Sequence, residues 1–313
     1  QNTWFTQRKL NEKRIPEIER YILDNRNSYV FSALTASVDG QIFFSPMGKS
    51  GDIGELEIDI SATFLINDGH HRKAAILEAI ESDESLKEET ISVVLYRDQG
   101  LANSQQMFTD LNKHAINASK SLNTLYDSKD PMAVMTKHVV SQVPFLRKYT
   151  DKEKDNLAQY AAKLFTLNVL YDVNKRIIKS PVDIKGETEY LVFFWTLVTA
   201  NMREWNDMDR GELSKKELRE AYISLRGITL HAFGKLGNYL FRHPELELGK
   251  CLAGLADIDW SRSNLECWQN RAITDKGRIN RNEKGIFLTY VQIKRLLQLT
   301  IEPEEAAREK QLL

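Results

Sequence analysis

Hydrophobic and polar positions change their period near residue 130 of this chain. In "RIPEIERYIL", Ile15, Ile18, Tyr21 and Ile22 share one helical face. "YVFSALTASV" and "QIFFS" are rich in β-branched and aromatic residues and flank Asp39-Gly40, a strong turn signal, so they read as strands. The apolar run Phe64-Leu65-Ile66 stops at Asn67-Asp68-Gly69, and Ile76, Leu77 and Ile80 then supply the apolar side of a helix. Residues 91–97, "ISVVLYR", form a further strand. "SQQMFTDLNKHA" returns to helical spacing, with Met107, Phe108, Leu111 and Ala115 on one side. The order helix, strands, turn–helix, strand, helix predicts an α/β or α+β unit.

Beyond residue 131 the strand signals fade. Thr150-Asp-Lys-Glu153 has the spacing of a capping box before a long predicted helix, "NLAQYAAKLFTLNVLYDVNKRII", which Pro181 ends. A very apolar helix, "EYLVFFWTLVTANMREW", follows. Ser214-Lys-Lys-Glu217 is a second capping box, opening a helix that runs toward His243-Pro244. Gly227, Gly234 and Gly237 interrupt that helix and mark either close helix packing or a kink. The predicted architecture is therefore α+β. A small α/β domain spans residues 1–130, and a mostly helical domain spans 131–313.

Composition narrows the class. With 313 residues, 42% hydrophobic and 28% charged, the chain can bury a substantial core. A formal net charge of −1 excludes a protein that is basic all over, so contact with nucleic acid requires a local patch. Two cysteines, Cys251 and Cys267, are too few for a disulfide scaffold and point to a reducing compartment, the cytoplasm. The longest apolar runs are too short to span a bilayer, and no signal peptide is visible. The absence of a starting methionine at Gln1 points to a missing N-terminal piece.

Residues 64–80 carry the most specific chemistry. A strand, a glycine turn and a helix start meet at Asp68, Gly69, His70, His71 and Arg72. A helix start leaves its first N–H groups without intrahelical partners and carries partial positive charge. Gly69 lets a ligand approach the backbone, the histidines add donors, and Arg72 brings a permanent charge with bidentate geometry. All of this suits a phosphate. Asp68 is placed to cap the helix or to hold a metal ion or ribose hydroxyl. A plain strand–turn–helix junction with exposed histidines has the same spacing. No metal site is expected: the histidines lack H-x-x-x-H spacing, and the cysteines stand apart from them. Neither a G-x-S-x-G elbow nor a Walker-type phosphate loop is present.

"NDGHHRKAAI" resembles the D-G-Q-H-R motif of the DGQHR domain and the related phosphate-binding motif of the ParB/sulfiredoxin superfamily, with His70 at the glutamine position. "QRKLNEKRIPEIERYILDN", "FFSP" followed by "GELEI", and "MFTDLNKHAINASKSLNTLYDSKDP" are similar to neighbouring segments of that family. The helical half, including "DWSRSNLECWQNRAITDKGRI", resembles the C-terminal part of the DndB family of the DNA phosphorothioation (sulfur modification) systems. The resemblance covers nearly the whole chain. It implies a ParB/sulfiredoxin-like N-terminal domain. It also implies a regulator that binds double-stranded DNA upstream of the modification operon and represses it. Nucleoside triphosphate, ATP with Mg²⁺, is the implied ligand. The implied second half of its site falls on Asp110, Asn112, Lys113 and His114. From the residues alone, "DLNKHAINAS" also reads as a solvated helix end.

The segment 271–295 holds Arg271, Lys276, Arg278, Arg281, Lys284, Lys294 and Arg295 against only Asp275 and Glu283, a local net charge of +5. Neutralising DNA phosphates is what such a patch does best. Trp260, Trp268 and Tyr290 lie nearby in sequence. Arg271, Lys276, Arg278, Arg281 and Lys284 are the expected DNA contacts. Residues 52–59 hold four acids and no base, and residues 81–89 hold five acids against Lys87, so those faces repel DNA. Operators are usually read by symmetric dimers, so a homodimer is expected. Two other classes stay open. One is a ParB-like nucleotide hydrolase, kinase or nuclease, drawing its carboxylate from Asp68, Asp110, Glu55 or Glu57. The other is a non-catalytic scaffold of the modification system.

Overall fold

The computed structural model describes residues 12–49, 51–97 and 118–313. The chain divides into two compact units, Gln1–Asn117 and Ala118–Leu313. Fourteen α-helices and three small sheets among the described residues give the α+β class expected from the sequence. The division places the helix Lys120–Tyr126 in the second unit. None of the described helices is long and apolar enough to cross a membrane.

In the first unit, α1 (Ile15–Asp24) buries Ile15 and Ile22. The central strand β1 (Leu34–Asp39) lies between β4 (Thr63–Asp68), antiparallel to it, and β5 (Val93–Arg97), parallel to it. Strands β2 (Ile42–Pro46) and β3 (Gly54–Ile58) form a separate antiparallel ribbon. The Asp39-Gly40 turn thus passes the chain from one sheet to another instead of closing a hairpin. Helix α2 (His70–Ser82) leaves directly from the end of β4 and packs on α1. Its inward face is Ala75 and Ala79, both fully buried, with Ile76 and Ile80 half-buried beside them. Leu77, expected on that face, is exposed. The two alanines, four residues apart, let the α1 backbone come close and so decide which side turns inward.

The second unit holds the larger core. Helices α3 (Lys120–Tyr126), α4 (Pro131–Gln142) and α5 (Pro144–Tyr149) lead into a short parallel pair, β6 (Thr150–Asp151) and β7 (Phe165–Thr166). Then come α6 (Leu167–Ile177), α7 (Ile184–Asn201), α8 (Arg203–Asp209), α9 (Lys215–Ala221) and α10 (Gly227–Phe241). The unit ends with α11 (Leu248–Ala253), α12 (Leu265–Trp268), α13 (Glu283–Leu296) and α14 (Pro303–Leu312). Buried Asn174 on α6 ties three helices together. It donates to Thr136 Oγ1 of α4 at 3.0 Å and accepts from Trp195 Nε1 of α7 at 2.8 Å. Trp260 and Trp268 stack with ring centroids 5.2 Å apart. With Tyr290 they belong to the core, so none of the three is available to stack on a base.

Two predicted helices are shorter than their patterns. The capping box at Thr150–Glu153 caps nothing. Asp151 accepts the N–H groups of Glu153 and Lys154 in a local turn, and the Thr150 hydroxyl is buried with no partner. The helix begins only at Leu167, capped by Thr166. Residues 159–163 are held open by Arg219, which donates to the carbonyls of Gln159, Ala161 and Lys163. Those tertiary bonds replace the helical ladder. The Ser214 cap is real, but its helix stops at Ala221. Residues 222–226 form a turn, closed by the Arg226 N–H to the Ile223 carbonyl at 2.8 Å and pinned by the Ile223 N–H bond to the Trp260 carbonyl at 2.9 Å, and α10 starts afresh at Gly227.

Gly234 and Gly237 serve packing, not a kink. A Cβ at Gly237 would stand 2.9 Å from Ile177 Cγ1 and 3.2 Å from the Phe194 ring, so glycine sets the distance between α10 and its neighbours. Gly237→Ala is expected to cost about 1–3 kcal/mol by overpacking, more than the ~1 kcal/mol that alanine gains over glycine in a helix. A urea melt followed by tryptophan fluorescence checks this. An unchanged or higher midpoint would show that α6 and α10 have room to spare.

Candidate functional site

Asp68 ends β4, and Gly69 follows with φ of 99°, the left-handed conformation that glycine adopts without strain. A Cβ there would also strike Leu34, at 2.4 Å. The turn therefore requires glycine on two counts. His70, His71 and Arg72 form the first turn of the thirteen-residue α2, whose N-terminus has no side-chain cap. Asp68 does not cap the helix. It accepts from Arg72 Nη2 at 2.6 Å, while Arg72 Nη1 donates to the Ser32 carbonyl at 2.7 Å and to the Ser32 hydroxyl. The Arg72 side chain is only 15% exposed. Arg72 is thus a clamp between the segment leading into β1 and the turn, and its charge is already matched by Asp68. What the turn offers an anion is the helix N-terminus and two half-buried imidazoles. Asp110, Asn112, Lys113 and His114, expected to complete the site, lie outside the described residues. Glu55 and Glu57 are exposed on β3 of the separate ribbon.

The basic stretch divides into two groups. Arg271 pairs with Glu309 at 2.5 Å, Arg295 with the same carboxylate at 2.6 Å, and Lys294 with Glu305 at 2.7 Å. All three are answered by acids of α14. Arg271, expected on DNA, is 15% exposed and held inside the fold. Burial pushes the Glu305 and Glu309 carboxyls up, but hydrogen bonds from Lys294 and Tyr290, and from Arg295 and Arg271, outweigh it and hold both below the usual range.

The second group is exposed. Ile273 and Ile279 pair across a tight turn whose tip is Asp275-Lys276-Gly277, with Gly277 at φ of 71°. Buried Ala272 and Ile273 anchor it to the core. Lys276, Arg278 and Arg281 project from this turn, and Lys284 from the first turn of α13. None of the four makes a side-chain hydrogen bond or ion pair among the described residues.

The turn forms one wall of an open groove of ≈ 1320 Å³. The start of α10, with Arg226 and His231, also lines it, as does Arg262. Sequence reasoning missed Arg226 and Arg262, which stand outside the basic stretch. The available signal was Arg226-Gly227 opening an apolar helix with no Ser, Thr, Asp or Asn cap. Burial first, and then the charges of Arg262, Arg219 and Arg281, lowers the affinity of Arg226 for its proton; as an arginine it keeps its charge. His231 accepts from Arg176 Nε at 3.1 Å through Nδ1, which leaves the proton on Nε2. Burial and the Arg176 charge hold its imidazole below the ordinary range.

A family model described as DndB, DNA-sulfur modification-associated, matches residues 2–300 of the chain. No curated protein and no solved structure matches it.

Proposed function

Because the chain belongs to the DndB family, associated with DNA sulfur modification, we propose that it is a DNA-binding repressor of the operon encoding such a system. The observation that carries this reading is the set of exposed cations Lys276, Arg278, Arg281 and Lys284, none answered by an acid among the described residues, in a chain whose net charge is −1. Their affinity for DNA is electrostatic and falls steeply with salt. Binding of a promoter duplex, measured by fluorescence anisotropy over a salt series, tests it.

The turn at Asp68–Arg72 is proposed to take the phosphates of a nucleoside triphosphate with Mg²⁺, with Asn112, Lys113 and His114 as its second half, and so to tune DNA affinity. Support comes from the N-terminus of α2, open to an anion, and the two imidazoles beside it. Since Arg72 also holds Asp68 and Ser32, Arg72→Ala lowers stability along with any nucleotide binding. The cleaner variant is His70→Ala. It is expected to weaken ATP binding by about 1.5–3 kcal/mol, the value of a hydrogen bond to a charged group, without moving the melting temperature. Calorimetry showing equal ATP affinity in wild type and variant removes His70 from the site.

A second reading, a docking component of the modification system, has the β2–β3 ribbon in its favour. Phe43, Phe44, Leu56 and the adjoining Met47 and Ile53 are all exposed there. The same ribbon is the proposed seat of a homodimer, and sedimentation of a Phe43→Ser, Leu56→Ser variant distinguishes dimer from monomer.

A further inference from the structure

The groove in the helical unit gathers more basic side chains than the DNA contacts proposed above. Arg226 and Arg262 lie in it together with Lys276, Arg278 and Arg281. Four other arginines of this unit carry carboxylate partners. Arg176 meets Glu283, Arg210 meets Asp207 and Glu212, and Arg271 and Arg295 meet Glu309. Among the described residues, no groove cation does. The two acids in the lining are engaged with backbone instead. Asp155 accepts the N–H groups of Lys120 and Ser121 at 2.8 Å each, and Asp275 accepts that of Lys276 at 2.9 Å.

Arg226 is the informative member. It is half-buried, among arginines that repel it, and its Nε is buried with no hydrogen-bond partner. A buried donor left unpaired is costly, and the cost is greater on a charged group. Its Nη2 donates to the Arg219 carbonyl, and Arg262 reaches only carbonyls, those of Glu220 at 3.4 Å and Gly277 at 3.3 Å. Carbonyl oxygens orient guanidinium groups but do not neutralise them. Five cations line the groove against two carboxylates, and neither carboxylate pairs with any of them; with one cation carrying an orphaned donor, the site favours a negatively charged ligand.

We infer that this groove binds the phosphate groups of a nucleotide chain, with Arg226 and Arg262 gripping in its depth what Lys276, Arg278 and Arg281 collect at the rim. The inference extends the proposed DNA-binding reading to a defined site. A partly buried Arg226 meets only a ligand that enters, so a strand or nucleotide fits better than the outer face of an intact duplex. The apolar lining of Leu225, Ile228 and Ile279 suits the sugar and base that accompany a phosphate.

The full chain is titrated by calorimetry with a short single-stranded oligonucleotide, with ATP and with pyrophosphate. The promoter duplex is titrated in parallel by anisotropy. Wild type is compared with Arg226→Gln, Arg262→Gln and the surface control Arg210→Gln, each checked by thermal melting. Expected is oligonucleotide binding that weakens roughly tenfold or more in both groove variants and not in the control. Arg262→Gln keeps the test decisive if Arg226→Gln melts early. Tightest binding of ATP or pyrophosphate would assign the groove to a free nucleotide; tightest binding of the oligonucleotide assigns it to a strand. Oligonucleotide, ATP and pyrophosphate affinities equal in wild type and both groove variants overturn the inference. If the duplex still binds in that case, the repressor reading survives without the groove. Groove-dependent oligonucleotide binding with no duplex binding would instead remove the repressor reading and leave the groove.

Discussion

Glu305→Gln is expected to destabilise the helical unit by about 3–5 kcal/mol, because it strips a buried ammonium of its counter-ion. Lys294 is fully buried on α13, 2.7 Å from Glu305 on α14 and 3.5 Å above the Tyr239 ring. Glu305 also accepts from the Tyr290 hydroxyl at 2.5 Å and from the Glu302 N–H at 3.0 Å, within the capping box that starts α14. Removing its charge leaves the cation with the Tyr239 and Tyr290 rings and a neutral amide, none of which neutralises it. The double variant Lys294→Met, Glu305→Leu removes both charges and is expected to recover most of the loss, since the desolvation cost disappears with them. Glu309→Gln, whose partners Arg271 and Arg295 are 15% and 45% exposed where Lys294 is fully buried, should cost less than Glu305→Gln. Four of the five tryptophans sit in this unit, so urea melts followed by fluorescence report on it. A Glu305→Gln midpoint equal to wild type would show that Lys294 finds another partner.

The same carboxylates set an acid limit. Glu283, Glu305 and Glu309 have folded-state pKa values held below the ordinary value, so the unfolded chain binds protons more readily than the folded one. Their contribution is fully present above the ordinary glutamate pKa of about 4.3 and is lost as pH falls from there through the depressed folded values. Acid unfolding of Glu305→Gln is correspondingly less steep in that range.

The second large effect concerns DNA. Replacing both Arg278 and Arg281 by alanine is expected to weaken promoter binding at every sequence and to lower the salt slope by roughly two units, about one per lost phosphate contact. At 0.15 M salt this is expected to cost on the order of 10–100-fold in affinity. Arg271→Ala serves as the contrast. By its place in the basic stretch it should behave like its neighbours. By its bond to Glu309 it should instead lower stability and leave the salt slope unchanged.

That contrast shows what the sequence made legible. The α+β class, the strand–glycine–helix turn at residue 69 and the location of β1, β2, β4 and β5 followed from local patterns, which depend on neighbours within a few residues; β6 and β7 did not. The charge of the C-terminal stretch did not. A count over residues 271–295 includes Arg271, Lys294 and Arg295 but stops before Glu305 and Glu309, which fold back on them. Arg226 and Arg262 were missed for the complementary reason: they join the groove through space and belong to no charged run. The Thr150 capping box failed because Arg219, some sixty positions away, captures the carbonyls its helix needed. Asp68 was readable as a cap by position, but Arg72, one turn on, holds its carboxylate instead.

The central claim is that this DndB-family chain grips DNA through cations that have no acidic partner of their own. Anisotropy of a labelled promoter duplex, titrated with wild type and with Arg278→Ala, Arg281→Ala over a salt series, measures it most directly. The prediction is a linear fall of log affinity with log salt in the wild type and a slope shallower by roughly two units in the variant. No binding at low salt, or identical slopes for the two proteins, would contradict it.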